Sequence, residues 1–178
     1  MKFPKHLFTL FFLLTLGLSF SLSAFANEAD DDQLPPVTLV QTHDLHVDGK
    51  LSQQRRVPIL LMFAQRGCSW CHFVEEEQLK PMMRNADYRA QVIIRLVMTD
   101  DLASITDFDG RQTDAIALAT RYNAPLTPTI VFVDDTGKVL APRIMGVRNT
   151  EYYGADLDEG LAISVQKIRQ QLAALNLK

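Results

Sequence analysis

Cys68 and Cys71 are the only cysteines in the chain, and Ser69 and Trp70 stand between them. On a helix, residues three positions apart share a face about one turn apart, so the two thiols are within reach of each other. A pair this close closes too small a loop to stabilise a fold much, and its use is chemical. One thiolate attacks a disulfide, and the second attacks the resulting mixed disulfide and displaces it. His72 follows directly, so Cys68-Ser69-Trp70-Cys71-His72 also spells the attachment motif for c-type haem. That use would join both sulfurs to the haem, with His72 as one axial ligand and a methionine such as Met98 or Met145 as the other. Zinc or copper is a third use, but a closed structural site wants four ligands, and no second Cys or His cluster lies downstream of His72.

The elements that must position these residues separate the alternatives. Val57 to Ala64 is a near-continuous apolar run of the length expected for a strand buried on both faces, and Gln65-Arg66-Gly67 breaks it. Ser69 to Lys80 holds good helix formers without Gly or Pro, and Pro81 is expected to kink or end that helix. Cys68 is thereby predicted at a helix N-terminus, where unpaired N–H groups and a partial positive charge favour thiolate over thiol. This makes Cys68 the expected nucleophile and Cys71 the resolving cysteine. A strand leading straight into the motif, with further strands after it, argues against a small c-type cytochrome, which is mainly helical.

Around this centre, residues 27–36 are acidic and proline-marked and read as a leader. Val37 to Val40 is a candidate short strand, and His43 to Gln54 reads as a polar extension with a turn at Asp48-Gly49, its histidines His43 and His46 on the surface. Val92 to Met98 is a second buried strand, the polar stretch from Asp100 to Gly110 a loop, and Gln112 to Tyr122 a helix. Thr129 to Val133 is a third strand, joined by a turn at Asp134-Asp135-Thr136-Gly137 to a partner over Val139 to Ile144, where Pro142 implies an edge position or a bulge. A terminal helix is expected over 158–175, with Leu161, Val165, Ile168, Leu172 and Leu175 as its buried stripe. This order predicts an α/β fold with a central mixed β-sheet flanked by helices on both faces.

The N-terminus carries Lys2 and Lys5, an apolar run from Leu7 to Phe20 that is short for a membrane span, and then Ala24-Phe25-Ala26. Residues 1–26 are expected to be a signal peptide. A retained anchor is the weaker reading, because the run grades into Ser-Leu-Ser-Ala and no basic cluster follows, and a lipoprotein would need a cysteine at the cleavage point. The expected product is a soluble periplasmic protein, less readily a secreted one. Losing Lys2 and Lys5 moves the formal net charge from −3 to about −5, and nothing in it suggests nucleic-acid or anionic-membrane binding. The expected organisation is a signal peptide over 1–26, a leader and extension over 27–56, and one domain over 57–178.

Two segments carry a family resemblance. Leu61-Met62-Phe63-Ala64 leading into Cys68-Ser69-Trp70-Cys71, and Tyr122-Asn123-Ala124-Pro125-Leu126-Thr127-Pro128-Thr129 before a strand, resemble the thioredoxin superfamily over roughly Val57 to the C-terminus. Within it, the run Gly67-Cys68-Ser69-Trp70-Cys71-His72 followed by an acidic helix looks most like exported, SoxW-type thioredoxins. The resemblance implies a thioredoxin-like fold, a cis proline at Pro128 beside the cysteines, and substrate docking at Thr127 and Pro128. Gly146 matches a glycine common after the last strand. It further implies a thiol:disulfide oxidoreductase whose redox group is the Cys68–Cys71 disulfide, with no other cofactor and no metal. The implied partners are exported protein or peptide disulfides and a membrane thiol/disulfide partner, and the implied molecule is a monomer.

The departures from cytoplasmic thioredoxin bear on mechanism. The dipeptide is Ser69-Trp70 rather than Gly-Pro, and Met62 replaces the buried carboxylate six positions before the first cysteine. Trp70 is expected either on the docking surface or packed on neighbouring loops, and Ser69 and His72 are expected to tune Cys68. Glu75, Glu76 and Glu77 are expected to form a solvated helix face, since one of them could replace the lost base only by facing inward. A non-enzymatic binding module stiffened by the disulfide is a further alternative, because thioredoxin folds are reused without redox activity.

Overall fold

The computed structural model describes residues 36–175. The expected signal peptide and nearly all of the acidic leader lie outside the described residues. The apolar run before the cysteines is a strand, β1 (Ile59–Ala64), in which every residue is buried. It pairs in parallel with β2 (Ile93–Met98), Ile59 opposite Ile93 and Ala64 opposite Met98. On its other side it pairs antiparallel with β5 (Thr129–Val133), Ile59 opposite Val133 and Phe63 opposite Thr129. The edge strand β6 (Ile144–Met145) completes the order β2-β1-β5-β6.

Because side chains alternate along a strand, β1 feeds two cores. Leu60, Met62 and Ala64 face one, with Ile130 and Phe132, and Ile59, Leu61 and Phe63 face the other, with Val131 and Val133. The first core is closed by two helices. One is α2, a continuous helical segment made of Ser69–Val74, a π turn over Glu75–Leu79, and Lys80–Arg84. The other is α5 (Tyr153–Leu175), which buries Tyr153, Leu157, Leu161 and Ile168. The second core is closed by Leu45 of α1 (Leu45–Arg55) and by Ala115 and Leu118 of α4 (Ala115–Arg121). The mixed sheet with helices on both faces is the expected architecture.

Several elements differ from their sequence readings. Val37 to Val40 forms no strand; only Gln41 bridges to Leu96, with Leu96 N–H donating to Val40 O at 2.9 Å. His43 to Gln54 is mostly the helix α1, and Asp48-Gly49 lies inside it rather than in a turn. Its inner face is held by polarity: buried Asp48 accepts from Thr42 Oγ1 and from Arg95 Nε, each at 2.6 Å. His46 is half-buried, with Nδ1 2.9 Å from Phe108 O. Pro81 does not end α2. The π turn precedes it, Lys80 N–H bonding Glu75 O, and this wider turn absorbs the donor that proline lacks.

A short helix, α3 (Ala86–Gln91), capped by Asn85, follows and is an element the sequence pattern does not predict. The polar stretch after β2 holds a two-residue hairpin, β3 (Ile105–Thr106) and β4 (Gln112–Thr113), so α4 starts later than expected, at its cap Asp114. The partner of β5 is broken: Val139 bridges Val133, and regular pairing resumes only at Ile144, beyond Pro142. The terminal helix begins at Tyr153 rather than Asp158, and Leu175, expected in its stripe, is 68% exposed.

α5 approaches the sheet most closely at Gly160, where a Cβ would stand 2.5 Å from Phe132 Cε2. Gly160→Val is expected to lower unfolding free energy by about 1–3 kcal/mol through overpacking, read as a fall in the urea midpoint at constant slope. Tyr122 supplies a second test. Its hydroxyl donates to Gly137 O at 2.9 Å, and burial pushes its pKa up to about 12. A raised folded-state value stabilises the fold fully below the unfolded value of about 10, and that contribution is lost as pH rises towards the folded value. Wild type is therefore expected to lose more stability than Tyr122→Phe between pH 10 and 12, measured by urea titrations across that window.

Candidate functional site

β1 delivers the chain to one end of the sheet, and the turn that follows is pinned to the end of β2. Thr99 donates to Ala64 O through its N–H at 2.7 Å and its Oγ1 at 3.0 Å. Arg66 engages Asp100 through its backbone N–H (3.1 Å to Oδ2), Nε (3.1 Å to Oδ2) and Nη2 (2.7 Å to the carbonyl). Gly67 then takes a positive φ of 73°, a conformation that side chains disfavour. The reversed chain enters α2 with Cys68 as its N-cap, in extended conformation at φ −82° and ψ 104°.

At that position Cys71 N–H donates to Cys68 Sγ at 3.1 Å, and His72 N–H closes the first helical turn onto Cys68 O at 3.1 Å. The two sulfurs are bonded, S–S 2.14 Å, with the Cα atoms 5.2 Å apart. Their exposure differs: Cys68 is half-buried, whereas Cys71 is only 5% exposed. The sulfur that receives the helix N–H is thus also the one that an incoming disulfide can reach.

The Thr127 loop reaches the same sulfur from 59 residues away. Thr127 Oγ1 lies 3.7 Å from Cys68 Sγ, and the Thr127–Pro128 peptide is cis. The loop is held on both sides, Thr129 Oγ1 donating to Leu126 O at 2.7 Å and Gly146 N–H to Pro128 O at 2.8 Å. Trp70 is 51% exposed, with its ring edge-on to Phe73 at 5.9 Å. Ser69 is exposed beside it. The His72 side chain is also exposed, and its ionic neighbour is Glu76, 3.9 Å from Nδ1. Met62 is fully buried, so an apolar side chain occupies the interior position where the resemblance would place a carboxylate.

A cleft of about 420 Å³ opens along the two cysteines, lined by Gln65, Cys68, Cys71, His72, Glu75, Leu96 and Met98 among others. Glu75 therefore departs from the expected solvated face. Its side chain is half-buried and lies 3.5 Å from Lys80 Nζ, which also bonds Glu76 Oε1 at 2.5 Å. That bond from Lys80 holds the Glu76 carboxyl below the usual range, and Glu76 in turn raises the Lys80 ammonium. Glu77 does face solvent. A second cleft of about 390 Å³ lies on the other side of Gln65, lined by Ile116, Pro125, Leu126 and Thr127 among others, with Ile116 63% and Leu126 45% exposed. The sequence assigns no docking role to Ile116 or Leu126, because an apolar residue on a helix or in a loop carries no sign of its exposure.

Comparison with known proteins follows the same lines. The family model for the thioredoxin-like domain matches residues 46–160. Among solved structures, a thioredoxin-fold protein from Helicobacter pylori is 20% identical, covering 67% of this chain and 86% of its own, with a TM-score of 0.44. Fasciola hepatica thioredoxin is 16% identical, covering 71% and 99%, with a TM-score of 0.45. The periplasmic thioredoxin SoxS from Paracoccus pantotrophus is 18% identical, covering 60% and 97%, with a TM-score of 0.41. No curated protein matches the chain.

The unequal exposure has a direct readout. Reduced protein treated with limiting iodoacetamide near neutral pH is expected to be alkylated at Cys68 in at least about tenfold excess over Cys71, as measured by peptide mass spectrometry. Equal labelling would show that the geometry does not distinguish the two thiols.

Proposed function

The chain belongs to the thioredoxin-like domain family and is a thiol–disulfide oxidoreductase, and from that premise we propose that it reduces disulfides in exported proteins in the periplasm, in the manner of SoxW-type thioredoxins. The observation that carries the reading is the Cys68–Cys71 disulfide at the start of α2, with Cys68 half-buried and Cys71 enclosed. In the reduced protein the Cys68 thiolate attacks one sulfur of a substrate disulfide and expels the other as a thiolate, which takes a proton. The Cys71 thiol then loses its proton and attacks Cys68 Sγ, releasing the second substrate thiol and leaving Cys68–Cys71 oxidised. Two electrons pass to the substrate, and a membrane thiol/disulfide partner returns them.

Substrate docking is assigned to Trp70, Thr127 and Pro128. Thr127 stands against the Cys68 sulfur and Trp70 is exposed one residue before Cys71, so a substrate segment lying along the Thr127 loop brings its disulfide to Cys68. The exposed apolar side chains of Ile116 and Leu126 extend that surface for hydrophobic segments. Ser69 and His72 tune the site from the solvent side, His72 through its neighbour Glu76. Export is supported by the pattern of residues 1–26.

Direction is tested by equilibrating the mature protein with dithiothreitol or glutathione buffers while counting thiols. A reduction potential near that of thioredoxin, about −270 mV, supports the reductase, and one near about −120 mV reverses the direction to oxidase. In a periplasmic extract, Cys71→Ser is expected to accumulate mixed disulfides through Cys68 that dithiothreitol releases, and Cys68→Ser to accumulate none.

A further inference from the structure

With Met62 buried beneath the cysteines, the interior offers no carboxylate there to take the proton that Cys71 must lose before it can attack. Cys71 is itself only 5% exposed, and what exposure it has is to the cleft. The chemistry needs an acceptor, and the cleft wall holds one. Glu75 N–H still bonds Cys71 O, so α-helical spacing runs unbroken from Cys71 to Glu75, and residues four apart at that spacing are neighbours on one face. Glu75 and Cys71 accordingly line the same cleft. The π turn starts at Glu75, and through it Lys80 returns to 3.5 Å from the Glu75 carboxylate.

We propose that Glu75 is the proton acceptor for Cys71 in the resolving step, directly or through one water in the cleft. The proposal rests on the thiol-exchange cycle above and holds for either redox direction. In the mixed disulfide the Cys71 S–H proton passes to the Glu75 carboxylate. The Cys71 sulfur forms a bond to Cys68 Sγ as the bond from Cys68 Sγ to the substrate sulfur breaks, and the departing thiolate takes the proton back from Glu75. The cycle is balanced, and Glu75 ends as it began.

The surroundings suit the role. The titratable lining of the cleft is Cys68, Cys71, His72 and Glu75, and β1 and β2 contribute only Ala64, Leu96 and Met98. Lys80 of α2 lies 3.5 Å from the Glu75 carboxylate and is shared with Glu76, whose contact is the closer. Glu75 is thereby anchored at the cleft wall by Lys80. Glu76 is occupied by Lys80 and His72, and Glu77 faces solvent, so neither competes.

Stopped-flow reaction of the reduced protein with dithiobis(nitrobenzoate) separates the two steps, because each releases one coloured thiolate. The first reports attack by Cys68, and the second reports resolution by Cys71. Glu75→Gln is expected to leave the first phase within about twofold of wild type and to slow the second by roughly tenfold or more near pH 7. The deficit should close as pH rises and Cys71 ionises unaided, a pH profile that a merely structural role would not produce. Glu77→Gln is expected to leave both phases unchanged, and the urea midpoint of each variant checks its fold. An intact first phase with an unaltered second phase and pH profile in Glu75→Gln overturns the role of Glu75 alone. Loss of the first phase in wild type overturns the exchange cycle itself and the inference with it. As a second variant, Glu75→Asp keeps a carboxylate and should recover part of the second-phase rate, whereas a rate no better than that of Glu75→Gln counts against proton transfer.

Discussion

Everything in the site depends on holding a sulfur at the first turn of a helix while leaving it accessible from outside the fold. The helix end supplies N–H groups with no partner in the preceding turn, and at Cys68 one of them, from Cys71, points at the sulfur at 3.1 Å. Such an arrangement is useful only if the helix start cannot drift. β1 prevents drift by being buried along its whole length between two cores, so that its last residue, Ala64, is fixed in all directions. The three residues between Ala64 and Cys68 are then tied sideways to the end of β2 by the Arg66–Asp100 and Thr99–Ala64 contacts. The apolar run and the reactive cysteine are one device: the strand spends hydrophobic surface to hold the position of an otherwise exposed group.

The second half of the site comes from a distant part of the chain and is held differently. The Thr127 loop has no strand or helix of its own, and its place is set at its two ends. Upstream, Tyr122 is buried against Phe63 of β1, with ring centroids 6.0 Å apart, and its hydroxyl is bonded to the turn after β5. Downstream, β5 pairs with β1, and Gly146 at the end of β6 takes the Pro128 carbonyl. Both anchors lead back to β1, so the Cys68 half and the Thr127 half share one reference strand. This explains how a contact across 59 residues can hold a threonine hydroxyl 3.7 Å from the reactive sulfur.

The parts of this arrangement that were legible in sequence are those where hydrophobic burial alone decides the structure. β1, β2 and β5 are nearly continuous apolar runs and were placed within two residues, and Cys68 at a helix start followed from the break after Ala64. The parts that were not legible are held by polar or very local interactions. α1 turns Leu45 and a buried aspartate inward rather than a full apolar stripe, and Asp48 finds its partners in Thr42 and Arg95, far apart in sequence. The β3–β4 hairpin has two residues on each side, too few to show an alternating pattern. The partner of β5 is shorter than its sequence suggests, because Pro142 interrupts a stretch that otherwise reads as one strand. In the site itself, residue types pointed to Cys68, Cys71 and Thr127, but no pattern in Glu75-Glu76-Glu77 indicates which of three identical side chains lines the cleft.

That last ambiguity is resolved by the backbone, and the cause is Pro81. A proline inside a helix removes one hydrogen bond and crowds the carbonyl four residues earlier, and here the helix responds by widening into a π turn just before it. The extra residue in that turn shifts everything beyond it by about a hundred degrees around the axis relative to an uninterrupted α-helix. Residues before the turn keep their register with Cys71, while Lys80, after it, comes round to serve both Glu75 and Glu76. Glu75 bonds back to Cys71 O in α-helical spacing and opens the π turn, so it lines the cleft with Cys71 and also lies 3.5 Å from Lys80. The proline that first reads as a helix terminator instead organises the charge beside the disulfide. An interior carboxylate, had one stood at Met62, would have needed partners within the apolar core. With the carboxylate on the cleft wall at Glu75 instead, the charge lines the same cleft as Cys71, and the buried position beneath is left to the apolar Met62.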